Sequence, residues 1–174
     1  MNACESILGL SPYQGGKPIE ELARELGLTK ISKLASNENP LGISSKVKEA
    51  INDSLSSINR YPDGNCFELK KSIATKHNVT PEMISLGNGS NELLELIARV
   101  FVSKQTDEVI FSQYAFVVYP LVTQALGATA VVSPAKNFGH DLDSMLSMIT
   151  TNTKLIFVAN PNNPTGTLLS DDDV

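Results

Sequence analysis

Apolar positions along the chain recur at two spacings, one typical of helices and the other of strands. The helical spacing, with its flanking caps and breakers, predicts helices at residues 18–26, 45–55, 65–77, 90–101, 115–126 and 141–149. Short apolar or alternating runs predict strands at residues 31–36, 84–87, 108–112, 128–134 and 154–160. From residue 84 onward the strands alternate with helices, which predicts an α/β fold with a mostly parallel sheet flanked by helices.

Several predicted helix boundaries rest on particular side chains. Ser45 is predicted to cap the helix that follows it, and Asn65 with Glu68 has the spacing of a capping box. Pro120 must lie early in its helix or kink it, because proline has no backbone N–H. Ser170, followed by three aspartates, has the composition of another helix start. One turn without an apolar face cannot pack, so we expect a truncated piece of a longer protein, with a disordered acidic tail as the alternative.

Composition narrows the class of protein. The 174 residues are 41% hydrophobic and 19% charged with a net charge of −5, which is typical of a globular chain large enough for one domain. Acidic and basic residues are interspersed, so we expect no nucleic-acid partner. No apolar run is long enough to span a bilayer, and residues 1–10 lack the features of a signal peptide. We therefore expect a cytoplasmic protein with no membrane partner.

The cysteines and histidines indicate neither a disulfide framework nor a metal site. Cys4 and Cys66 are the only cysteines and form no C-x-x-C motif. His77 and His140 lie far apart in the sequence, and no ligand-like spacing surrounds either of them. We predict that both histidines are surface residues and that the protein binds no metal.

Polar loops follow the predicted strands at the positions where parallel α/β sheets bind ligands. These sheets bind ligands in the crevice beyond the carboxyl ends of their strands. The loops are GNGSNE after the strand at 84–87, SQYAF at the end of 108–112, and NPNNPTG at the end of 154–160. NENPLG, after 31–36, is a fourth candidate. Together these loops predict a single site.

The segment GNGSNELL combines glycines with a helix start. Gly87 and Gly89 would let the backbone approach a ligand, and the N–H groups of Gly89, Ser90 and Asn91 would point outward at a helix N-terminus, which favours an anion such as phosphate. The segment lacks the G-K-[ST] of a P-loop, and Glu92 stands where a dinucleotide fingerprint has its third glycine. A tight turn with no ligand is the alternative.

Two further loops carry groups suited to a flat ring. Tyr114 directly follows a predicted strand end, where an exposed ring can stack on a planar cofactor; a tyrosine of the core or its rim is the alternative. The segment ANPNNPTG places Asn160, Asn162 and Asn163 at another strand end, stiffened by two prolines. An asparagine held there can donate a hydrogen bond to an anionic oxygen on a ligand ring. A plain turn is the alternative, but it would not need this many residues of fixed conformation.

NPNNPTG resembles the signature of the fold-type I pyridoxal-phosphate aminotransferases, and the resemblance extends over essentially the whole chain. Five other segments occur in the order expected for the histidinol-phosphate aminotransferase subgroup: SPYQGGKP (11–18), ASNENPLG (35–42), RYPDG (60–64), GNGSNELL (87–94) and SQYAFVVY (112–119). The resemblance implies the amino-terminal part of this fold. Residues 1–59 would form the amino-terminal segment and the start of the small domain, and 60–174 the first half of an incomplete large cofactor-binding domain.

The resemblance also implies roles for individual residues. The cofactor, pyridoxal 5'-phosphate, would have its phosphate held by Gly89, Ser90 and Asn91. Tyr114 would stack on the pyridine ring, and Asn163 would bind its phenolic oxygen. Tyr61 would reach the cofactor phosphate of the neighbouring subunit, which implies a homodimer. The substrate side would be lined by Tyr13, Asn39 and Gly42.

The family also uses an Asp against the pyridine nitrogen, a Lys that forms the Schiff base and an Arg for the substrate carboxylate. All three lie beyond the Asn-Pro-Thr-Gly loop in the family, so the resemblance assigns no catalytic residue here, and we expect the 174-residue chain alone to be inactive. Lys136, in SPAK, matches the S-x-x-K spacing but precedes the loop, so we interpret it as a surface lysine.

The resemblance implies an enzyme that moves an amino group from histidinol phosphate to 2-oxoglutarate in histidine biosynthesis, with an amino-acid phosphate and a 2-oxo acid as its small-molecule partners. Within the fold, an aromatic or aspartate aminotransferase and a phospho-amino-acid decarboxylase stay open as alternatives. A non-catalytic fragment or dimerisation module is the alternative from another class.

Overall fold

The computed structural model describes residues 3–13 and 15–173. Contacts divide them into two compact units, one containing the described residues of 1–13 and 85–174, and the other those of 14–84. The division of the chain after residue 59, which the sequence suggested, stays a prediction.

The helices in chain order are α1 (Glu5–Leu8), α2 (Ile19–Leu26), α3 (Ser45–Ser54), α4 (Phe67–His77), α5 (Ser90–Phe101), α6 (Val118–Ala125) and α7 (Leu142–Ser147). The strands are β1 (Glu108–Ser112), β2 (Thr129–Ser133) and β3 (Thr153–Phe157). Single 3₁₀ turns lie at Leu55–Ser57 and Pro81–Met83. The α/β prediction is therefore confirmed.

The three strands form a parallel sheet in the order β2-β1-β3. β1 lies in the centre, and its residues from Val109 to Ser112 are all buried. This burial explains why Val109, Ile110 and Phe111 are consecutive apolar residues, since a central parallel strand is covered on both faces. All three strands run in the same direction, so the loops after β1, β2 and β3 lie at one edge of the sheet, its carboxyl edge.

Alternate residues of β1 supply the two faces of the sheet. Val109 and Phe111 belong to a buried cluster with Val102, Tyr119 of α6 and Phe157, against which Leu94 of α5 and residues on either side of α6 pack. The rings of Tyr119 and Phe157 stack with their centroids 4.4 Å apart, and burial raises the pKa of the Tyr119 hydroxyl. Helix α7 also contacts β1, and its Met145 is buried, as is Ile110. The core is therefore built around β1.

Helix predictions agree with the structure more closely than strand predictions. Helix α5 has the predicted bounds, and Pro120 lies in the first turn of α6, as expected. The strands predicted at 31–36 and 84–87 were wrong, because neither segment is a strand in the structure. An alternating pattern becomes a strand only where a neighbouring backbone supplies hydrogen bonds. In the described residues only β1, β2 and β3 pair in a sheet.

Two predicted caps were also wrong in detail. Ser45 is the first residue of α3 rather than its cap, and Ser44 precedes the helix without a side-chain hydrogen bond. At α4 it is Asp63, not Asn65, that caps the helix. Its carboxylate accepts hydrogen bonds from the backbone N–H groups of Phe67, at 3.0 Å, and Asn65, at 2.9 Å. These bonds, led by that from Phe67, lower the pKa of Asp63. The residue preceding α4 has a left-handed backbone, which carries the chain around so that Asp63 can reach the helix.

Ser170 begins a turn, and its partner is Asp173. The backbone N–H and hydroxyl of Ser170 both donate to the Asp173 carboxylate, at 2.9 and 2.6 Å. These bonds, led by the hydroxyl, lower the pKa of Asp173. The sequence pattern thus marks a capped turn over residues 170–173.

A candidate cofactor site at the carboxyl edge of the sheet

The segment after β1 turns sharply and presents Tyr114. The Gln113 N–H donates to the Ser133 carbonyl at 2.9 Å, which continues the β1–β2 pairing, and the Ala115 N–H donates to the Ser112 carbonyl at 3.0 Å. The second bond closes a turn around Tyr114 before α6 begins. This turn leaves the Tyr114 side chain 40% exposed at the carboxyl edge.

The loop after β3, residues 160–169, is held in shape by hydrogen bonds of its own. At its base the Asn160 side chain donates to the Leu169 carbonyl at 3.1 Å and accepts from the Leu169 N–H at 2.8 Å. Further along, the Asn162 N–H donates to the Thr167 carbonyl, and the Gly166 N–H donates to the Asn162 carbonyl, both at 2.8 Å. Gly166 has a φ of 72°, a left-handed conformation that favours glycine. The loop is therefore a rigid element.

Asn162 joins this loop to the segment after β1. Its side chain is only 3% exposed. Its Nδ2 lies 3.1 Å from the Tyr114 carbonyl oxygen and 2.7 Å from Thr165 Oγ1. The structure thus brings Tyr114 and the Asn-rich loop to the same place, as the sequence predicted for residues at neighbouring strand ends.

Asn163, which the family resemblance singles out, differs from Asn162 in its surroundings. Its side chain is half-buried, and it takes part in none of the hydrogen bonds found among the described residues. An amide in this position can donate to a ligand without breaking a bond inside the protein. This availability agrees with the role expected of Asn163, which stays a prediction.

Phe138 is a neighbour of the candidate site that the sequence reasoning missed. Its ring centroid lies 5.5 Å from that of Tyr114, with the planes tilted by 37°. Both Asn137 and Phe138 have a positive φ, of 51° and 64°, which is uncommon for residues other than glycine. The sequence Asn-Phe-Gly between a strand and a helix indicates a turn, but the pattern does not tell which ring the turn will place beside Phe138.

The first turn of α5 has the geometry of an anion site. Gly89 precedes the helix with φ 83° and ψ 168°, a conformation essentially restricted to glycine, and no side chain caps the helix. A Cβ at Gly89 would meet nothing within 4 Å, so the space beside this backbone is open. The Glu92 carboxylate accepts a hydrogen bond from the Asn88 N–H and does not cap the helix. The Gly89 N–H donates to the Gly87 carbonyl at 2.9 Å, so the expectation that it points at a ligand was wrong. The N–H groups of Ser90 and Asn91 stay available for an anion.

Gly87 lies in a packing contact with α5, whereas the sequence predicted that it would let the backbone approach a ligand. A Cβ there would lie 2.9 Å from Leu93 Cγ and 3.0 Å from the Glu92 carboxylate. The missing side chain of Gly87 therefore admits α5 against its own preceding segment, and the expectation that it admits a ligand was wrong. Of these two glycines, Gly89 is the one with open space beside its backbone.

Tyr13 lies in the same unit, in a cavity of about 260 Å³ between the amino-terminal segment and helices α5 and α6. Arg99 and Leu121 also line this cavity, and Arg99 pairs with Glu95 at 2.7 Å. The hydrogen bonds of the described residues connect Tyr13 with none of the cofactor-binding candidates. Its expected place on the substrate side stays a prediction.

Asn39, Gly42 and Tyr61 belong to the other unit. The Asn39 side chain folds back on its own loop, accepting from the Leu41 N–H at 3.0 Å and donating to the Gly42 carbonyl at 3.3 Å. Gly42 has a φ of 76°, which the turn requires. The Tyr61 side chain is fully exposed. The first two residues shape a loop, and Tyr61 is available for contact.

His140 is buried, so its prediction as a surface residue was wrong. The side chain is 6% exposed, and Nε2 lies 2.9 Å from the Ala159 carbonyl oxygen, just before the loop at 160–169. His77 is exposed, and Lys136 is exposed as predicted.

In the part of the chain that the structure describes, no cluster of three or more His, Cys, Asp and Glu side chains is arranged to hold a metal ion. No described helix is both long and apolar enough to cross a membrane.

Unsatisfied polar groups gather at the carboxyl edge. Among the described residues, three buried side-chain polar atoms lack a hydrogen-bond partner: Ser112 Oγ at the end of β1, His140 Nδ1, and Asn162 Oδ1. Buried atoms without a partner are rare, and they call for an explanation such as a functional role. The exposed tyrosine ring and the free Asn163 amide at this edge fit a flat polar ring, and the open first turn of α5, in the same compact unit, fits a phosphate.

Comparison with known proteins agrees with this assignment. A family model described as aminotransferase class I and II matches residues 29–174. The chain is 58% identical to histidinol-phosphate aminotransferase 1 of Mannheimia succiniciproducens, over 97% of this chain and 46% of that protein. It is 60% identical to histidinol-phosphate aminotransferase 2 of Pasteurella multocida, over 95% of this chain and 45% of that protein. The chain thus spans under half the length of these relatives.

Solved structures show the same fold. The crystal structure of histidinol-phosphate aminotransferase from Sinorhizobium meliloti in complex with pyridoxal-5'-phosphate matches with a TM-score of 0.84 at 24% identity, covering 97% of this chain and 44% of that one. A Thermus thermophilus aspartate aminotransferase double mutant matches with a TM-score of 0.78 at 24% identity, covering 99% and 48%. At this identity the likeness establishes the fold.

Proposed function

The chain belongs to the aminotransferase class I and II family, and we propose that the protein transfers the amino group of histidinol phosphate to 2-oxoglutarate with pyridoxal 5'-phosphate as cofactor. The observation that carries the proposal is the hydrogen bond from Asn162 Nδ2 to the Tyr114 carbonyl. It joins the segment expected against the face of the cofactor ring to the loop expected at its edge. The names of the two relatives at 58% and 60% identity support the choice of substrate.

In the proposed site, three segments of the chain bind different parts of the cofactor. The N–H groups of Ser90 and Asn91, beside the open backbone of Gly89, bind the phosphate with the positive end of the α5 dipole. The exposed ring of Tyr114 packs on one face of the pyridine ring and excludes water from it. The Asn163 amide donates to the phenolic oxygen and favours its anionic form. When bound, the cofactor supplies an electron sink for a carbanion on the substrate.

We further propose that the enzyme is a cytoplasmic homodimer. The fully exposed Tyr61 would reach the cofactor phosphate in the partner subunit, and Tyr13, Asn39 and Gly42 would line the substrate side. Two free thiols, at Cys4 and Cys66, suit a reducing compartment. Light scattering on the full-length enzyme should give twice the mass of one chain, whereas a monomer mass would remove Tyr61 from the site.

The activity is tested on the full-length enzyme with pyridoxal 5'-phosphate. Initial rates of glutamate formation from 2-oxoglutarate are measured with L-histidinol phosphate, L-phenylalanine and L-aspartate as amino donors, and carbon dioxide release is followed in parallel with an amino-acid phosphate. We expect the highest kcat/KM with histidinol phosphate. A preference for phenylalanine or aspartate, or release of carbon dioxide, would assign one of the other activities of this fold, and no reaction at all would indicate a non-catalytic protein.

A further inference from the structure

Among the described residues, the buried amide of Asn162 supplies the side-chain hydrogen bond that links the segment after β1 to the loop after β3. Nδ2 contacts the Tyr114 carbonyl oxygen at 3.1 Å and Thr165 Oγ1 at 2.7 Å. Thr165 Oγ1 lies in turn 3.1 Å from Thr167 Oγ1. The link therefore runs from the backbone of one loop, through a single buried side chain, into the interior of the other.

The orientation of this amide follows from its partners. A carbonyl oxygen such as that of Tyr114 can only accept a hydrogen bond, so the NH₂ group and not Oδ1 of Asn162 must face it. The second N–H then reaches the Thr165 hydroxyl, which keeps its own proton available for Thr167. Both donors of the amide are used, while its Oδ1 is buried without a partner. The position therefore calls for a side chain that donates two hydrogen bonds.

The backbone of Asn162 is fixed as firmly as its side chain. Its N–H and its carbonyl each form a 2.8 Å hydrogen bond within the loop, to Thr167 and from Gly166. Asn163 follows directly in the chain. A displacement of the Asn162 side chain therefore reaches two neighbours at once, the peptide of Tyr114 and the backbone that carries Asn163.

We propose that Asn162 is a positioning residue that sets the spacing between Tyr114 and Asn163. This inference rests on the proposed function, in which Tyr114 lies against the cofactor ring and Asn163 binds its phenolic oxygen. Asn162 does not touch the cofactor. It holds Tyr114 and Asn163, which do contact the cofactor, so that the space between them has its final width before the cofactor binds.

A purely structural role would predict a different outcome, and Asn160 provides the comparison. Asn160 lies in the same loop and also forms two side-chain hydrogen bonds, but both go to Leu169 at the base of the loop. Loss of either side chain should loosen the loop. Only loss of the Asn162 amide should also release the turn around Tyr114.

The test compares Asn162→Asp and Asn160→Ala in the full-length enzyme. Asn162→Asp keeps the size of the side chain but removes both donors and sets a carboxylate against the Tyr114 carbonyl. Asn162→Ser, which buries no charge and is too short to reach both acceptors, serves if the Asp variant does not fold. Hydrogen exchange is measured on the cofactor-free protein at the Ala115 and Gly166 amides, and the dissociation constant of pyridoxal 5'-phosphate is measured by titration.

We expect faster exchange at both Ala115 and Gly166 in the Asn162 variants, with the cofactor dissociation constant raised about tenfold or more, as for loss of a buried hydrogen-bonded contact. Asn160→Ala should leave the Ala115 exchange unchanged and the dissociation constant within about twofold. Unchanged exchange at Ala115 in the Asn162 variants, or an unchanged dissociation constant despite faster exchange, would overturn the inference. If the parent enzyme itself bound no pyridoxal 5'-phosphate, the proposed function would fail, and the positioning role with it.

Discussion

Replacing Gly89 by alanine isolates the backbone contribution to phosphate binding. Gly89 has φ 83° and ψ 168°, a region that side-chain-bearing residues occupy at a cost of about 1–3 kcal/mol. Since a Cβ there would meet nothing within 4 Å, the cost is conformational and not a clash. The variant can keep the conformation and lose that much stability, or relax and move the N–H groups of Ser90 and Asn91.

If the backbone relaxes, the same 1–3 kcal/mol corresponds to about a 5- to 150-fold weaker affinity for the cofactor. Titration of the cofactor-free full-length enzyme with pyridoxal 5'-phosphate gives the affinity, and thermal unfolding without cofactor gives the stability. Ser90→Ala is the matched control, because it removes a hydroxyl but keeps the backbone N–H, and it should change the affinity much less. A Gly89→Ala enzyme with parental affinity and parental stability would refute the reasoning.

Three other substitutions test separate parts of the account. Asn163→Ala should lower kcat/KM about tenfold to hundredfold through loss of one hydrogen bond to a charged oxygen, with an unchanged unfolding midpoint; full activity would disprove the assigned role. Phe157→Ala, which removes the ring stacked on Tyr119, should cost about 3–5 kcal/mol in urea unfolding and Phe157→Leu clearly less; equal losses would contradict the packing described. Asp107 accepts hydrogen bonds from backbone N–H groups, first that of Ser103 at 2.8 Å, which lower its pKa. The ionised Asp107 carboxylate therefore stabilises the fold at pH values above its ordinary pKa of 3.8, and this stabilisation is lost as the pH falls through the lowered pKa. The unfolding midpoints of the parent and Asp107→Asn should differ at neutral pH and converge in acid. A difference that stays constant with pH would show that ionisation of Asp107 is not involved.

The sequence predicted best those elements whose own residues decide their structure. Helix α5 has an apolar face at helical spacing and a glycine just before its first residue, and the structure gives the predicted bounds. Strand β1 is an apolar run long enough for a central strand and too short for a helix. Residues 31–36 also alternate, yet Leu34 is fully exposed and no strand forms, because strand formation depends on a neighbour that lies elsewhere in the sequence.

The candidate site shows the same limit. Motif spacing identifies Asn163 in the loop and Gly89 before α5, because both belong to short local patterns. The importance of Asn162 depends on its hydrogen bond to Tyr114, 48 positions away in the sequence, and the contact of Phe138 with the Tyr114 ring depends on the turn between β2 and α7. Neither relation is local, so neither could be inferred from the sequence alone.

The most direct test of the proposed cofactor site is a crystal structure of the full-length enzyme with pyridoxal 5'-phosphate. We expect the phosphate within hydrogen-bond distance, about 2.7–3.2 Å, of the Ser90 and Asn91 backbone nitrogens, with the ring against Tyr114 and its phenolic oxygen on the Asn163 amide. A phosphate bound elsewhere, with the first turn of α5 exposed to water, would contradict it.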